Sequence, residues 1–215
     1  MRKLPVTLLC GFPGSGKTAL LRRLLAGAQA GQAKIAALVH DFAAVGLDQG
    51  PVARAAGGRV ALANGCVCCA IQDDLVVALA RAAREADAGT RIVVECGGVA
   101  HPASLAGLFG HPLAGQMLAL DRVVCMVDAC LFPDLDYAET ELAIDQAAMA
   151  DLVLLNKADL ASGQSLEAIE ATLLGAQPAM RIVRCEHGCV PAELIVGPGA
   201  AAPLTAAARS AARMA

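Results

Sequence analysis

The chain has 215 residues, enough for one substantial core or for one domain with an appendage. Its hydrophobic fraction of 57% is inflated by alanine, and its longest apolar stretches are strand-length and interrupted by charge, so no membrane-spanning segment is expected. A formal net charge of −3, one Tyr, four Phe and no Trp provide no basic stripe and nothing for bases to stack on, which argues against a nucleic-acid partner. Nine cysteines, an odd number with three of them clustered, point to a reducing compartment, and the expected location is the cytoplasm. The N-terminal MRKLPVTLLCGF has basic residues and an apolar run. No small-residue cleavage site follows, so it does not read as a signal peptide.

Leu4–Cys10 (LPVTLLC) is a short apolar run with a β-branched centre, as a buried parallel strand requires. Residues 11–18, GFPGSGKT, follow it directly. A helix over 18–29 comes next, with leucines at 20, 21, 24 and 25 on one face and Arg22 and Arg23 toward solvent. Strand, glycine-rich turn and helix form the context in which G-x-x-x-x-G-K-T signals a nucleoside triphosphate. Gly11, Gly14 and Gly16 let backbone N–H groups turn toward phosphate oxygens at a helix N-terminus, whose dipole favours anions. Gly11, Gly14, Ser15, Gly16, Lys17, Thr18 and Ala19 are therefore the candidate phosphate-contacting set. In it Lys17 reaches the β- and γ-phosphates and the Thr18 hydroxyl holds Mg²⁺.

A strand is expected at 34–39, then a Gly-rich stretch over 41–58 that reads as a switch loop, then a strand at 59–63. Asn64-Gly65-Cys66-Val67-Cys68-Cys69 places three thiols in four residues ahead of a helix over 71–87. Thiolates suit Zn²⁺, Cu⁺ and similar ions. Three local ligands leave the fourth position to a distant side chain, to water or to a receiving protein. The same spacing also fits three packed small residues or a redox pair. Arg91–Val94 is an apolar strand delivering Glu95 to the end of the sheet where Mg²⁺ would lie; a strand-end surface carboxylate is the alternative.

A helix over 102–110 and a strand over 122–128 come next. Asp128 either faces the nucleotide or caps the turn that follows. Beyond a helix at 139–150, Asp151–Asn156 reads as a buried strand ending in Asn156-Lys157-Ala158-Asp159. In an N-K-x-D loop the Asp159 carboxylate accepts from guanine N1–H and N2–H₂, Asn156 contacts the opposite edge and Lys157 stacks along the ring. Adenine offers no such donor pair and would leave the carboxylate desolvated and unpaired. GTP is expected over ATP. A helix at 164–174 and a strand at 181–185 complete the pattern. Cys10, Cys125 and Cys130 read as small core residues, and Cys185 with His187 and Cys189 is a weaker metal candidate. The β/α alternation predicts a P-loop α/β fold, a mostly parallel sheet with helices on both faces and ligands at the strands' C-terminal ends. Residues 1–196 are expected to form this domain and the Ala-rich 197–215 a flexible tail.

Taken together, GFPGSGKTALL (11–21), NGCVCCAIQDDLVVAL (64–79), RIVVECGGVAHP (91–102), DRVVCMVDA (121–129) and QAAMADLVLLNKADL (146–160) resemble the CobW family of P-loop GTPases, the metallochaperone-associated branch. The Cys-x-Cys-Cys turn followed by a helix opening on Asp73-Asp74-Leu75 carries most of the resemblance. It implies that Glu95-Cys96-Gly97-Gly98 occupies the Walker B place, with Glu95 and Thr18 on Mg²⁺ and the Gly98 N–H sensing the γ-phosphate. It implies a transition metal, Zn²⁺ or Co²⁺, on Cys66, Cys68 and Cys69, and a client metalloprotein as partner; a homodimer is a further possibility. The activity implied is slow GTP hydrolysis to GDP and phosphate, since no arginine finger or water-orienting residue is evident.

The chain departs from the family pattern at several positions. His40-Asp41-Phe42-Ala43 stands where Asn-Glu-x-Gly is usual, so Asp41 keeps a carboxylate with a shorter reach, and His40 is either a ligand or a structural residue. Cys96 replaces a common Ser or Thr, Gly97 another small polar residue, Gln72 a basic residue and His101 an acidic one. Family members continue into a smaller C-terminal domain, for which these 215 residues leave no room. Two other readings stay open: a P-loop ATPase or kinase with a fortuitous N-K-A-D turn, and a metal-sensing or buffering protein with a vestigial GTPase.

Overall fold

The computed structural model describes residues 3–29, 34–40, 59–61, 70–87, 89–98 and 107–197. Its centre is a seven-stranded sheet: β1 (Leu4–Cys10), β2 (Ile35–His40), β3 (Arg59–Ala61), β4 (Arg91–Cys96), β5 (Leu118–Asp128), β6 (Leu152–Asn156) and β7 (Ile182–Arg184). The spatial order is β3-β2-β4-β1-β5-β6-β7, and every pairing is parallel. Six helices accompany it among the described residues: α1 (Lys17–Gln29), α2 (Ala70–Glu85), α3 (Pro112–Met117), α4 (Tyr137–Ala148), α5 (Gly163–Ala176) and α6 (Glu193–Val196).

Both faces of the sheet are covered, which is why the central strands are apolar without alternation. Val6, Leu8 and Cys10 of β1 pack with Val76 and Leu79 of α2, Ala114 of α3, Ala143 and Ala147 of α4, and Leu166, Ile169 and Leu173 of α5. On the other face Leu9, Val93, Val124 and Leu154 meet Leu20, Leu21 and Leu24 of α1 and Ile195 and Val196 of α6. Arg22 and Arg23 are exposed, as the helical spacing predicts. Helix α4 is capped by Asp136, whose side chain accepts from the Glu139 N–H while the Asp136 N–H donates to the Glu139 carboxylate.

Strand boundaries expected from sequence fall within a residue or two except at β5. That strand begins at Leu118 rather than 122, with Leu4–Val6 of β1 pairing Leu118–Leu120 across a register shift. Asp121 and Arg122 interrupt its apolar run. Asp121 is held by Arg91 of β4 at 2.7 Å, so the interruption is structural. Of the helix expected at 102–110, residues 102–106 lie outside the described set. The described part is a 3₁₀ turn, Gly107–Gly110, followed by α3 with Pro112 at its start, where a missing N–H is harmless. Helix α6 was not expected. It is fixed by the Thr7 hydroxyl donating to the Ile195 carbonyl at 3.2 Å and by the Arg122 guanidinium donating to the Leu194 carbonyl. Among the described residues no helix is long and apolar enough to cross a membrane.

Candidate functional site

Residues 11–18 link the C-terminal end of β1 to the first turn of α1. Gly16 has φ +105°, and a Cβ there would lie 2.4 Å from Asn156 Nδ2, so the position admits only glycine. Lys17 is buried, and its Nζ donates to the carbonyls of Gly11 at 2.6 Å and Phe12 at 2.8 Å. Burial lowers its pKa, opposed in part by Glu95. Pro13, Gly14, Thr18 and Ala19 are exposed at the mouth of the loop, whereas Ser15 is fully buried.

The Thr18 hydroxyl donates to Glu95 Oε1 at 2.5 Å. Glu95 is buried at the end of β4, and its Oε2 has no partner among the described residues. A buried carboxylate oxygen left unpaired is expensive unless something of positive charge or a bound water meets it. Glu95 and Thr18 therefore fit a hard, oxygen-preferring cation such as Mg²⁺. Three residues on, Gly98 lies against the phosphate loop. A Cβ on it would be 2.4–2.6 Å from three atoms of Pro13.

Behind these residues, Cys10 and Cys96 sit on neighbouring strands with sulfurs 3.6 Å apart, and the Cys96 thiol donates to the Val94 carbonyl at 3.7 Å. The mutual bond and burial hold the Cys10 pKa well above its ordinary value, and burial raises Cys125 to about 12. Protonated thiols of this kind are packing groups, as expected of Cys10 and Cys125. Cys130, by contrast, is exposed and is not a core residue.

The second loop, after β6, is tied to the first. Asn156 is buried, its Nδ2 donates to the Ser15 carbonyl at 2.8 Å, and its Oδ1 accepts from Gly188 N–H at 2.9 Å and from the Cys185 thiol at 3.6 Å. Both ends of the amide expected to contact the base are thus engaged within the protein, and the residue ties three loops together. Lys157 adopts φ +61°, and its Nζ meets Asp128 Oδ2 at 2.5 Å. The other Asp128 oxygen accepts from the N–H groups of Cys130 at 2.9 Å and Leu131 at 3.3 Å. Asp128 therefore both caps its turn and faces Lys157. Asp159 is exposed at the loop tip.

The turn 185–189 completes this corner. Ala158 N–H donates to the Cys185 carbonyl at 3.2 Å, and Arg23 Nε donates to the His187 carbonyl at 3.1 Å. Among the described residues no three His, Cys, Asp or Glu side chains converge to hold a metal ion. Cys185, His187 and Cys189 do not form such a group. Cys185 is buried against Asn156, its pKa raised to about 11 by desolvation, while Cys189 is exposed. The supporting part this turn plays left no mark in the sequence beyond Gly188, which sits at φ +64° against Leu20. Asp41, between β2 and β3, Cys66, Cys68 and Cys69, between Ala61 of β3 and Ala70 of α2, and His101, after Gly98, lie outside the described residues, and His40 is described only as the last backbone position of β2.

A parallel sheet with a glycine-rich, lysine-bearing loop at its centre and a second loop bonded to it defines a P-loop nucleotide-binding protein. The chain belongs to the CobW/HypB/UreG nucleotide-binding domain family, whose model matches residues 5–192. It is 34% identical to the zinc chaperone CobW of Pseudomonas aeruginosa, over 95% of this chain and 62% of that protein. It is 31% identical to the zinc-regulated GTPase metalloprotein activator 1 of Schizosaccharomyces pombe, over 86% of this chain and 46% of that protein. Among solved structures, the Zn(II)-bound YjiA GTPase of Escherichia coli matches with a TM-score of 0.57 and 29% identity, covering 81% of this chain and 55% of that one. The nickel complex of HypB from Helicobacter pylori, at 15% identity and a TM-score of 0.55, shares the fold. The chain spans 46–63% of the length of the curated relatives it matches.

Proposed function

We propose that the chain is the GTP-binding, slowly hydrolysing domain of a metal-trafficking protein, a metallochaperone or metalloenzyme activator whose cargo is Zn²⁺ or a similar transition ion. The observation that carries the nucleotide part is the bond from Asn156 Nδ2 to the Ser15 carbonyl, which joins the base-reading loop to the phosphate loop. In this reading Lys17 exchanges its carbonyl partners for phosphate oxygens, and the amides of 14–19 surround the same oxygens. Lys157 lies along the purine. Asp159, exposed at the loop tip, accepts from guanine N1–H and N2–H₂. Thr18 and Glu95 would hold Mg²⁺, which when bound supplies positive charge to the β- and γ-phosphate oxygens. The second oxygen of Glu95 is then available to orient a water or the ion's hydration shell, and Gly98 senses the γ-phosphate.

The metal part rests on the chemistry of Cys66, Cys68 and Cys69 and on the names carried by the relatives. A thiolate motif lying in sequence between the 40–48 and 95–98 segments would grip or release its ion as those segments reorder, and a client metalloprotein would receive it. The direct test is equilibrium binding of GTP, GDP and ATP with Mg²⁺, followed by a Zn²⁺ titration against a competing chelator. GTP should bind at least tenfold more tightly than ATP, and one Zn²⁺ should bind per chain. Comparable affinity for ATP, or no Zn²⁺ uptake, would defeat the proposal.

A further inference from the structure

Gln146 has no part in the phosphate, base or metal chemistry described so far, yet its placement is unusual. It lies in the last turns of α4, on the face formed by Ala143 and Ala147, and is completely buried. The surrounding gap is lined mainly by apolar side chains, among them Phe12, Val127, Phe132 and Ala143, with Asp128 as well as Gln146 as its polar members. A buried amide among apolar groups is costly unless its hydrogen bonds are made, and a bond made in such surroundings is electrostatically stronger than one in water. The Gln146 Nε2 donates to the carbonyl of Gly98 at 3.1 Å.

Gly98 is held on its other side by the phosphate loop, since even a methyl group there would overlap Pro13. The segment 95–98 is therefore pinned at both ends. Glu95 Oε1 receives the Thr18 hydroxyl, and the Gly98 carbonyl receives Gln146. The anchor is firm because α4 is closed by its capping box and packs through two buried alanines.

We propose that Gln146 is a positioning residue for triphosphate recognition: by holding the Gly98 carbonyl it keeps the end of β4 seated against Pro13, ready to meet a γ-phosphate. The inference rests on the GTP reading above. A diphosphate engages residues 11–18 and the base loop alone. A triphosphate also needs the 95–98 segment, and seating that segment in advance removes part of the ordering cost of binding. Gln146 thus sets the preference for GTP over GDP without touching either.

The test compares parent protein, Gln146→Met and Gln146→Glu for affinity toward GDP and toward a non-hydrolysable GTP analogue, both with Mg²⁺. Methionine keeps the volume and removes the donor. GDP affinity should stay within twofold, while analogue affinity should fall about 3- to 10-fold, the worth of one neutral hydrogen bond. Glutamate above its carboxyl pKa presents an acceptor to a carbonyl. Its analogue affinity should therefore fall further and recover as pH is lowered and the carboxyl gains a proton to donate, a response that a packing role alone would not give. Equal losses for both nucleotides, or no loss for either, would overturn the proposal. Hydrogen exchange with GDP bound supplies a second readout that also detects any folding defect. A peptide spanning 95–98 should exchange faster in Gln146→Met than in the parent while peptides from β1 and β6 stay unchanged, and equal exchange at 95–98 would likewise overturn it. A parent that fails to prefer GTP over ATP would instead overturn the underlying reading, a distinguishable outcome.

Discussion

The two ends of the candidate site are built on different plans. At the base end, Asn156 alone makes three contacts to two other loops, the turn 185–189 returns bonds to Ala158 and Arg23, and Lys157 is neutralised by Asp128. At the switch end, Glu95 has one oxygen on a threonine hydroxyl and the other on nothing among the described residues, and Gly98 is held by a single side-chain bond. The first end is finished before any ligand arrives, while the second has polar groups still to be paired. In the proposed reading, affinity for the part common to GTP and GDP belongs to the first end, and sensitivity to the γ-phosphate and to a metal to the second.

Substitutions separate the two ends. Asn156→Ala should have the largest effect, because it strands a buried N–H and a carbonyl at once. We expect a loss of about 2–4 kcal/mol of folding stability by denaturant titration, with GTP and GDP weakened together. An unchanged stability would mean the base end is not prewired. Asp159→Asn should separate reading from wiring. GTP affinity should fall at least tenfold, about 1.4 kcal/mol, while stability stays within about 0.5 kcal/mol, since the side chain is exposed. A stability loss matching that of Asn156→Ala would erase the distinction.

Glu95→Gln probes the switch end. It removes a buried carboxylate with an unpaired oxygen, so the nucleotide-free chain should be as stable as the parent or slightly more so. Mg²⁺-dependent GTP affinity should nevertheless drop about tenfold, and a titration with and without Mg²⁺ checks this. The smallest effect concerns pH. Burial holds the free Lys17 pKa below the ordinary lysine value, and phosphate oxygens would raise it again on binding. Binding then takes up a proton between those two values, and nucleotide affinity should decline as pH rises through that window. The unliganded chain moves the other way, because the buried charge disfavours folding when protonated and that penalty fades over the same alkaline range. Affinity independent of pH up to the ordinary lysine range would contradict the coupling.

How much of this was legible in the sequence depended on whether neighbours or partners carried the signal. β1, β6 and the loops after them announce themselves through unbroken apolar runs and spaced motif residues. The start of β5 was hidden because Asp121 and Arg122 look like a strand end until Arg91 and Leu194 are seen to meet them. Helix α3 was masked by its own Gly and Pro residues, and α6 is too short for a periodic pattern. Cys185, His187 and Cys189 offered ligand-like spacing, and only the contact of Cys185 with Asn156 reveals a loop brace. Gln146 is one polar residue at the head of QAAMAD, and nothing local marks it. Its meaning comes from Gly98, far away in the chain.

The central claim is that one chain couples nucleotide state to a transition metal, and Zn²⁺ affinity measured by chelator competition in the GDP-bound and GTP-analogue-bound forms tests it most directly. The two forms should differ by about 5- to 150-fold, Zn²⁺ should shift the preference for the analogue over GDP by the same factor, and Ser at Cys66, Cys68 and Cys69 should remove most of the metal binding while leaving GTP binding intact. Equal Zn²⁺ affinity in both nucleotide states, or undiminished binding of one equivalent by the triple Cys-to-Ser variant, would contradict it.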